Sequence, residues 1–178
     1  MTDREALSRS IREPELFLVL FERHYDAISS YLARRLPYDT AADLASEVFA
    51  QAFAGRARFD PEAGEPIAYL YGIASNLLRR HRRTESRMLR AYARAGAEGQ
   101  AAGPEAGDPA IAAALLELRP QEREVLLLYA WAGLTYEQIA AALGIALGTV
   151  RSRLSRGRER VRRRLLAEAT MTEGFVDG

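Results

Sequence analysis

The sequence of 178 residues contains no cysteine and no lysine. Without thiols the chain forms no disulfide, thiolate metal site or cysteine nucleophile, and it is compatible with a reducing cytoplasm. All 25 basic side chains are arginines, whose forked donors suit phosphates and guanine edges. A coding bias toward GC-rich codons is the simpler explanation of this usage.

Long apolar runs and catalytic motifs are also missing. No apolar run approaches the roughly 20 residues that span a bilayer, and residues 1–12 lack the apolar core of a signal peptide. We therefore expect a cytoplasmic protein without membrane insertion of its own. No nucleophile–base arrangement or G-x-x-x-x-G-K-[ST] loop occurs, and His24 and His81 lack clustered ligands. The sequence predicts no catalytic residue, no metal and no cofactor, and hence no enzyme.

Apolar residues recur at helical spacing in the first half of the chain. They predict helices over residues 14–36, 41–57 and 67–83, separated by Pro37 and by a loop around Asp60 and Gly64. These helices form a predicted bundle over residues 15–85, preceded by a polar N-terminal segment, residues 1–14. In residues 86–109 the periodicity fades while glycine and proline accumulate, which favours a linker.

The second half predicts helices over residues 111–118 and 121–132, then a helix-turn-helix, then a frayed tail. The fold class expected is therefore all-α, with two small helical domains joined by a flexible linker. The C-terminal domain spans residues 110–166 and contains the helix-turn-helix; residues 167–178 form the tail. A flexible linker of 24 residues would span on the order of 25–30 Å, enough to hold the domains on separate DNA segments.

The helix-turn-helix is predicted from residues 134–157. Thr135 and Gln138 form a capping box that begins the first helix, and Gly144 permits the turn. On the second helix Val150 and Leu154 lie on an apolar stripe. The opposite face carries the candidates for base contacts: Arg151, Ser152, Ser155 and Arg156. The flanks carry candidates for phosphate contacts: Arg153, Arg158 and Arg160. The alternative is a solvated charged face without DNA.

A second polar face is predicted on the helix of residues 67–83. The side opposite its apolar stripe carries Tyr69, Gly72, Asn76, Arg79, Arg80 and Arg83. An amide that bonds a base edge, an aromatic that stacks and arginines that follow the backbone suit an opened DNA strand. The alternatives are cations that complement a helix C-terminus and, for Tyr69, packing.

The order and spacing of these segments resemble bacterial RNA polymerase sigma factors of the extracytoplasmic-function (ECF) group, which have only regions 2 and 4. The resemblance rests on residues 20–25 (LFERHY), 42–49 (ADLASEVF), 58–60 (RFD), 69–76 (YLYGIASN), 118–125 (LRPQEREV), 133–140 (GLTYEQIA) and 148–154 (GTVRSRL). Ala146 and Tyr69 depart from the proline and tryptophan common in the family.

The resemblance implies partners and residue roles. The core polymerase is contacted through its β′ clamp helices, by Asp43, Leu44, Glu47, Val48 and Phe49, and through its β flap. Asn76 helps to capture a flipped base of the −10 promoter element, with Phe59 and the loop to Pro66 beside it. Arg151, Ser152, Ser155 and Arg156 read the −35 element. An anti-sigma factor is a further expected partner, and control by such a separate protein or by expression level is favoured over self-inhibition.

Two other functions remain open from the sequence. A stand-alone helix-turn-helix regulator would bind duplex DNA without polymerase, with the N-terminal bundle as a dimerisation or effector domain. A protein-interaction adaptor would use its arginines only to balance acidic partners, so its DNA binding would be weak and insensitive to salt.

Overall fold

The computed structural model describes residues 1–60, 64–97 and 108–173, except the side chains of residues 96, 97 and 171–173. In these ranges all regular secondary structure is helical, which confirms the predicted all-α class. The helices are α1 (Asp3–Arg9), α2 (Leu18–Ala33), α3 (Tyr38–Gly55), α4 (Pro66–Arg80), α5 (Arg82–Ala97), α6 (Pro109–Leu116), α7 (Pro120–Ala130), α8 (Tyr136–Leu143) and α9 (Leu147–Glu173). Short 3-10 helices occupy Pro14–Phe17 and Arg56–Arg58.

The N-terminal bundle contains α1 to α4, because α1 packs into it rather than preceding it as a polar segment. Thr2 and Glu5 cap α1, and Ala6 and Leu7 on its inner side are fully buried. Asp3 anchors the outer side, since its carboxylate oxygens lie 2.7 Å from Arg23 Nη1 and 2.6 Å from His24 Nε2. Burial raises the pKa of Asp3, but these two partners outweigh it and hold that pKa below its usual value.

Helix α5 replaces the first half of the predicted flexible linker. Leu89 is buried, and Tyr92 and Ala93 pack against the core at the i, i+3, i+4 spacing of one helix face. This apolar face is narrow and lies among arginines, which is why composition suggested a linker. Helices α5 and α6 pack against each other. Residues 98–107 of the predicted linker lie outside the described residues.

The C-terminal bundle is built on the long helix α9, which continues through residues predicted to be a tail. Arg164 stabilises this extension by pairing with Glu117 at 3.0 Å and with Glu168 at 3.4 Å. Helices α7 and α9 pack closely at Gly157, where an added Cβ would lie 3.6 Å from the backbone oxygen of Glu122. The C-terminal bundle therefore has an extended arginine-rich helix on its surface.

The two bundles are in contact in this structure; the sequence predicted a linker long enough to hold them on separate DNA segments but left their relative orientation open. Helix α4 of the N-terminal bundle packs against α8 of the C-terminal bundle. The approach is close at Gly72, because a Cβ there would lie 2.8 Å from the carbonyl oxygen of Ala142. A glycine is therefore needed for this packing.

Leu7→Ala should lower the free energy of unfolding by about 2–5 kcal/mol, because it opens a cavity beneath α1. Chemical denaturation followed by circular dichroism measures this change. Leu18→Ala is the matched control, since Leu18 is 58% exposed and the same truncation there should cost less than about 0.5 kcal/mol. Equal costs at the two positions would show that α1 does not pack into the bundle in solution.

Candidate nucleic-acid interface

Helices α8 and α9 form the predicted helix-turn-helix. Thr135 Oγ1 accepts from the Gln138 backbone N–H at 3.2 Å, and Gln138 Oε1 accepts from the Thr135 backbone N–H at 2.9 Å, which completes the capping box. Gly144 ends α8 in the left-handed conformation with φ of 63°. Ile139, Val150 and Leu154 are buried between the helices. The predicted capping box and turn are thus confirmed by the geometry.

The outward face of α9 presents three of the four predicted base-contacting residues. Arg151, Ser155 and Arg156 are exposed. Ser152 is half-buried, and its hydroxyl donates to the carbonyl oxygen of Thr149 at 3.1 Å. The accessible set therefore combines two guanidinium groups with one hydroxyl. These groups are suited to the acceptor-rich base edges of the major groove.

Two of the flanking arginines of α9, and the base-contact candidate Arg156, also contact the bundle itself. Arg160 Nη1 lies 2.7 Å from Glu122 Oε2, and Arg156 Nε lies 3.4 Å from Glu122 Oε1. Glu122 is buried, so Arg160 compensates a charge that would otherwise be costly. The guanidinium of Arg158 lies 4.4 Å from the centroid of the Tyr129 ring. These contacts give Arg158 and Arg160 structural partners that the sequence did not predict.

The polar face of α4 is organised around Asn76. Its side chain is exposed, and its Oδ1 accepts from Arg79 Nη2 at 3.0 Å, so the amide nitrogen is the donor left for a base edge. Arg79, Arg80 and Arg83 are exposed as predicted. Together these residues form an amide flanked by cations along one helix and the start of the next.

Tyr69 is half-buried and packs within the bundle, which is the alternative to base stacking that the sequence left open. Its ring packs 5.3 Å from that of Phe59, and its hydroxyl covers Gly55, where an added Cβ would be only 2.4 Å away. Burial raises the pKa of this hydroxyl, with a smaller opposing effect from Arg58. Tyr69 and Phe59 thus pack together at the edge of the bundle. Residues 61–63 of the adjoining loop lie outside the described residues.

The segment of α3 that the resemblance assigns to polymerase binding is only partly exposed. Asp43 and Glu47 are exposed, and Glu47 accepts from the Gln51 side chain at 2.8 Å. The other three predicted contact residues, Leu44, Val48 and Phe49, are buried in the bundle core. They are therefore not accessible to a partner in this structure, and Asp43 and Glu47 are the members of the predicted set that α3 exposes.

A buried charged network joins the two bundles, and sequence reasoning did not find it. Arg35 at the end of α2 is 3% exposed; its Nε lies 2.7 Å from Glu85 Oε1 and its Nη2 lies 2.7 Å from Glu124 Oε2. Ser75 on α4 donates to Glu124 Oε1 at 2.7 Å, and the Tyr31 hydroxyl also contacts both Arg35 and Glu124. The partners lie 49 to 93 residues from Glu124 along the chain, too far for any local pattern to indicate.

The network shifts the pKa values of its members. Burial raises the pKa of Glu124, but Arg35 and the hydroxyls of Ser75 and Tyr31 outweigh burial, so that pKa lies below its usual value. Burial is the largest of the effects that raise the pKa of Tyr31 well above its usual value, and the Glu124 and Glu85 charges act in the same direction against Arg35. Glu124 is therefore ionised at physiological pH, and its carboxylate accepts hydrogen bonds. Tyr31 is neutral, so its hydroxyl can donate one.

One predicted DNA-contacting arginine from each of α4 and α9 lines a shared cavity. It has a volume of about 540 Å³, lies between the bundles, and is lined by Arg79 and Arg82 from the N-terminal half and by Arg153 from α9. Ser75, Glu85 and Glu124 of the charged network also line it. The structure therefore places Arg79 of α4 and Arg153 of α9 on one cavity, while Arg151 and Ser155 of α9 line a different surface.

Comparison with known proteins places this geometry in a family. The family described as Sigma-70 region 2 matches residues 20–88, and Sigma-70, region 4 matches residues 109–161. RNA polymerase sigma factor CarQ of Myxococcus xanthus is 33% identical over 155 residues, covering 83% of this chain and 88% of CarQ. ECF RNA polymerase sigma factor EcfG of Rhodopseudomonas palustris is 35% identical, covering 69% of this chain and 70% of EcfG. The chain belongs to the ECF group of RNA polymerase sigma factors.

A solved structure agrees with this assignment. The sigma factor RpoE of Bartonella quintana, in complex with the anti-sigma factor NepR, matches with a TM-score of 0.56 and 25% identity, covering 88% of this chain and 97% of RpoE. The function of this ECF sigma factor is transcription initiation.

Region 2 comprises α2, α3, α4 and the start of α5, whereas α1 precedes the matched residues. Region 4 takes in α6 to α8 and the first half of α9.

The described part of this sigma factor contains neither a membrane-spanning helix nor a metal-binding cluster. Among the helices that the structure describes, none has the length and apolar character to cross a membrane. Within the same part of the chain, no cluster of three or more His, Asp or Glu residues is arranged to hold a metal ion.

Arg160→Ala should lower the free energy of unfolding of region 4 by about 1–3 kcal/mol, because it leaves the buried Glu122 carboxylate poorly compensated. Thermal and urea unfolding measure the change. Arg151→Ala is the control, since Arg151 is an exposed arginine on the same helix and should change stability by less than about 0.5 kcal/mol. A loss of DNA binding by Arg160→Ala without any loss of stability would instead support a phosphate contact.

Proposed function

We propose that this sigma factor binds core RNA polymerase, reads the −35 promoter element with region 4, and melts and reads the −10 element with region 2. The observation that carries the proposal is the presence in one chain of two separate basic faces of different chemistry. One face lies on the second helix of a helix-turn-helix, which suits duplex DNA. The other combines an amide with arginines, which suits an unpaired strand.

Region 4 contacts the −35 element through the exposed face of α9. Arg151 and Arg156 carry the bidentate donors that pair with guanine edges, and Ser155 supplies a smaller polar group. Ser152 contributes after its hydroxyl leaves the Thr149 carbonyl. Phosphate contacts from Arg153, Arg158 and Arg160 would fix the register of the helix without reading sequence.

Region 2 contacts the −10 element through α4. Asn76 bonds the Watson–Crick edge of a flipped base, and Phe59 with Tyr69 forms an aromatic wall beside it. Arg79, Arg80 and Arg83 attract the backbone of the opened strand. Unpaired bases offer their edges only after the duplex opens, so these contacts stabilise the melted state over the closed duplex.

The acidic face of α3 is the proposed docking site on core polymerase. Asp43 and Glu47 lie one helical turn apart and are exposed, so they present two adjacent negative charges to the β′ clamp helices. Leu44, Val48 and Phe49 support this face from within the bundle. Region 4 contacts the β flap, which sets the distance between the two DNA-reading surfaces on the polymerase.

Regulation by an anti-sigma factor is part of the proposal. The similarity to RpoE, whose structure contains its anti-sigma factor NepR, supports it. We further propose that the protein acts in the cytoplasm, where core polymerase and promoters are found. Its contribution is binding free energy, and the chemistry of RNA synthesis belongs to the polymerase.

Run-off transcription with purified core polymerase tests the proposal directly. On a pool of promoter fragments from a GC-rich genome, new transcripts should require the protein. Asn76→Ala should reduce them by about tenfold or more, because a base contact worth roughly 1–3 kcal/mol is lost, while leaving core binding intact. Permanganate reactivity of thymines at −10 should fall in parallel.

Glu47→Arg should weaken core binding itself, measured by co-elution with the polymerase, because it places a cation on the acidic face. Glu15→Arg is the control: the same charge reversal at an exposed residue that precedes the matched region 2. If the protein initiates nothing with core polymerase yet retains specific fragments alone, the stand-alone regulator is the correct function. Weak fragment binding that salt does not alter would indicate the adaptor.

A further inference from the structure

Helix α5 carries a line of arginines that the proposed promoter contacts leave unused. Arg87, Arg90 and Arg94 are all exposed, and their spacing of three and four residues places them on one face of the helix. Leu89 is buried on the other side. The three arginines form what we call the α5 ridge. They continue the line of Arg83, and from Arg83 to Arg94 this line extends about 16 Å at the rise of an α-helix.

The α5 ridge has no compensating anion in the part of the chain that the structure describes. Glu85 is the sole acidic residue of α5, and it faces inward, where its Oε1 lies 2.7 Å from Arg35 Nε. A shallow depression of about 350 Å³ on α5 is lined without a carboxylate, by Arg82, Arg83, Ser86, Arg87 and Arg90. Like charges three or four residues apart repel one another along a helix. A bound anion would therefore relieve this repulsion.

The arginines at the end of α9 differ, because the chain supplies their anions. Arg162 and Arg163 both pair with Glu159, and Arg164 pairs with Glu117. A coding bias toward arginine would act on both helices, yet carboxylates accompany only those of α9. The uncompensated charge is thus a specific property of the α5 surface.

The spacing of the α5 ridge suits a partner with regularly repeated negative charge. Helix residues three and four apart have Cβ atoms about 5–6 Å from one another. Each strand of duplex DNA carries one phosphate per about 3.4 Å of axis, so the roughly 10 Å from Arg87 to Arg94 faces about three phosphates. Guanidinium groups are well matched to phosphate oxygens. The ridge therefore fits a polyanion better than a single small anion.

The side chains of α5 favour a duplex over an unpaired strand. Unpaired bases are held by aromatic stacking and by hydrogen bonds to their edges. No asparagine or glutamine occurs in α5, and Tyr92, its single aromatic residue, packs against the core. In a duplex the bases are stacked inside and the phosphates face outward, so guanidinium groups alone are sufficient for a contact that fixes position.

The place of α5 in the chain indicates which duplex this is. Helix α4, whose Asn76 face is proposed to read −10, ends at Arg80, and α5 begins at Arg82. The region 2 match ends at residue 88 and the region 4 match begins at residue 109. Arg90 and Arg94 therefore lie between the two regions, as the spacer DNA lies between the −10 and −35 elements.

We propose that the α5 ridge binds the phosphate backbone of the spacer duplex beside the −10 element, without reading its sequence. The inference rests on the proposed reading of −10 by α4. The contact adds affinity that does not depend on the bases. It also holds the duplex at the point where the opened strand leaves it.

Neutralising the ridge should change the salt dependence of promoter binding. The variant with Arg87→Gln, Arg90→Gln and Arg94→Gln is assembled with core polymerase and titrated with a promoter fragment at several salt concentrations. Its affinity should fall by about tenfold or more at low salt. The slope of log Kobs against log salt should become less steep by about 2–3, because each lost phosphate contact changes it by about 0.9.

A second triple variant controls for net charge. Arg4→Gln, Arg9→Gln and Arg12→Gln remove the same charge from exposed arginines that precede the region 2 match. Circular dichroism should show both variants folded, since the substituted side chains are exposed. Equal slopes in the two variants would overturn the proposal.

An oligonucleotide with the unpaired −10 sequence alone separates the duplex from the opened strand. It lacks the spacer, so polymerase with the ridge variant should bind it as well as polymerase with the unchanged chain. Asn76→Ala should weaken the same binding. If the ridge variant loses as much affinity for this oligonucleotide as for the whole promoter, the ridge contacts the opened strand and the proposal is wrong.

A tethered cleavage reagent locates the contact directly. Because the chain has no cysteine, Arg90→Cys accepts a single iron–EDTA label before assembly with core polymerase. Hydroxyl radicals formed there should cut the spacer duplex beside −10, whereas the same label on Arg12→Cys should leave the spacer intact. Cuts confined to the opened −10 segment, or no cuts in the spacer, would contradict the proposed contact.

Failure of the ridge and failure of the proposed function give different results. If the unchanged chain initiates nothing with core polymerase, both proposals fall. If it initiates and depends on Asn76, while the ridge variant behaves like its charge control, the spacer contact alone is excluded.

Discussion

The buried guanidinium of Arg35 is the group on which the arrangement of the bundles depends. A cation removed from water needs anions and hydrogen-bond acceptors in fixed positions. Glu85 supplies one from α5 and Glu124 supplies another from α7. The two carboxylates come from different regions. When Arg35 pairs with both, the end of α2, the start of α5 and the N-terminal half of α7 are therefore fixed relative to one another.

The sequence predicts the parts of this fold that repeat locally and misses those that depend on distant pairs. Apolar spacing within a few residues is enough to predict α2, α3 and α4. Cap chemistry over four residues is enough to predict the capping box of Thr135. Helix α1 is too short for periodicity, and the apolar side of α5 is a narrow stripe among arginines. The Arg35–Glu124 pair has no local signal, since its members are 89 residues apart.

The candidate site shows the same division. Helical-wheel reasoning located the exposed faces around Asn76 and Arg151, because a helix fixes which residues lie opposite its apolar stripe. The resemblance, and not the helical wheel, assigned Val48 and Phe49 a contact with core polymerase, and both side chains are buried in this structure. Tyr69 packs against Phe59, which is the alternative to stacking that the sequence left open. Gly72 was placed correctly on the polar face of α4, but only the structure shows that its missing side chain lets α8 approach.

The polar character of the α4 face limits what this face contributes to packing. It meets α8 at Gly72, and beside that contact the Gln138 side chain donates to Glu65. Polar interfaces of this kind between domains are weaker than a bundle core. The relative placement of the bundles is therefore specified by the buried pairs of Arg35, which lose their partners if the bundles shift.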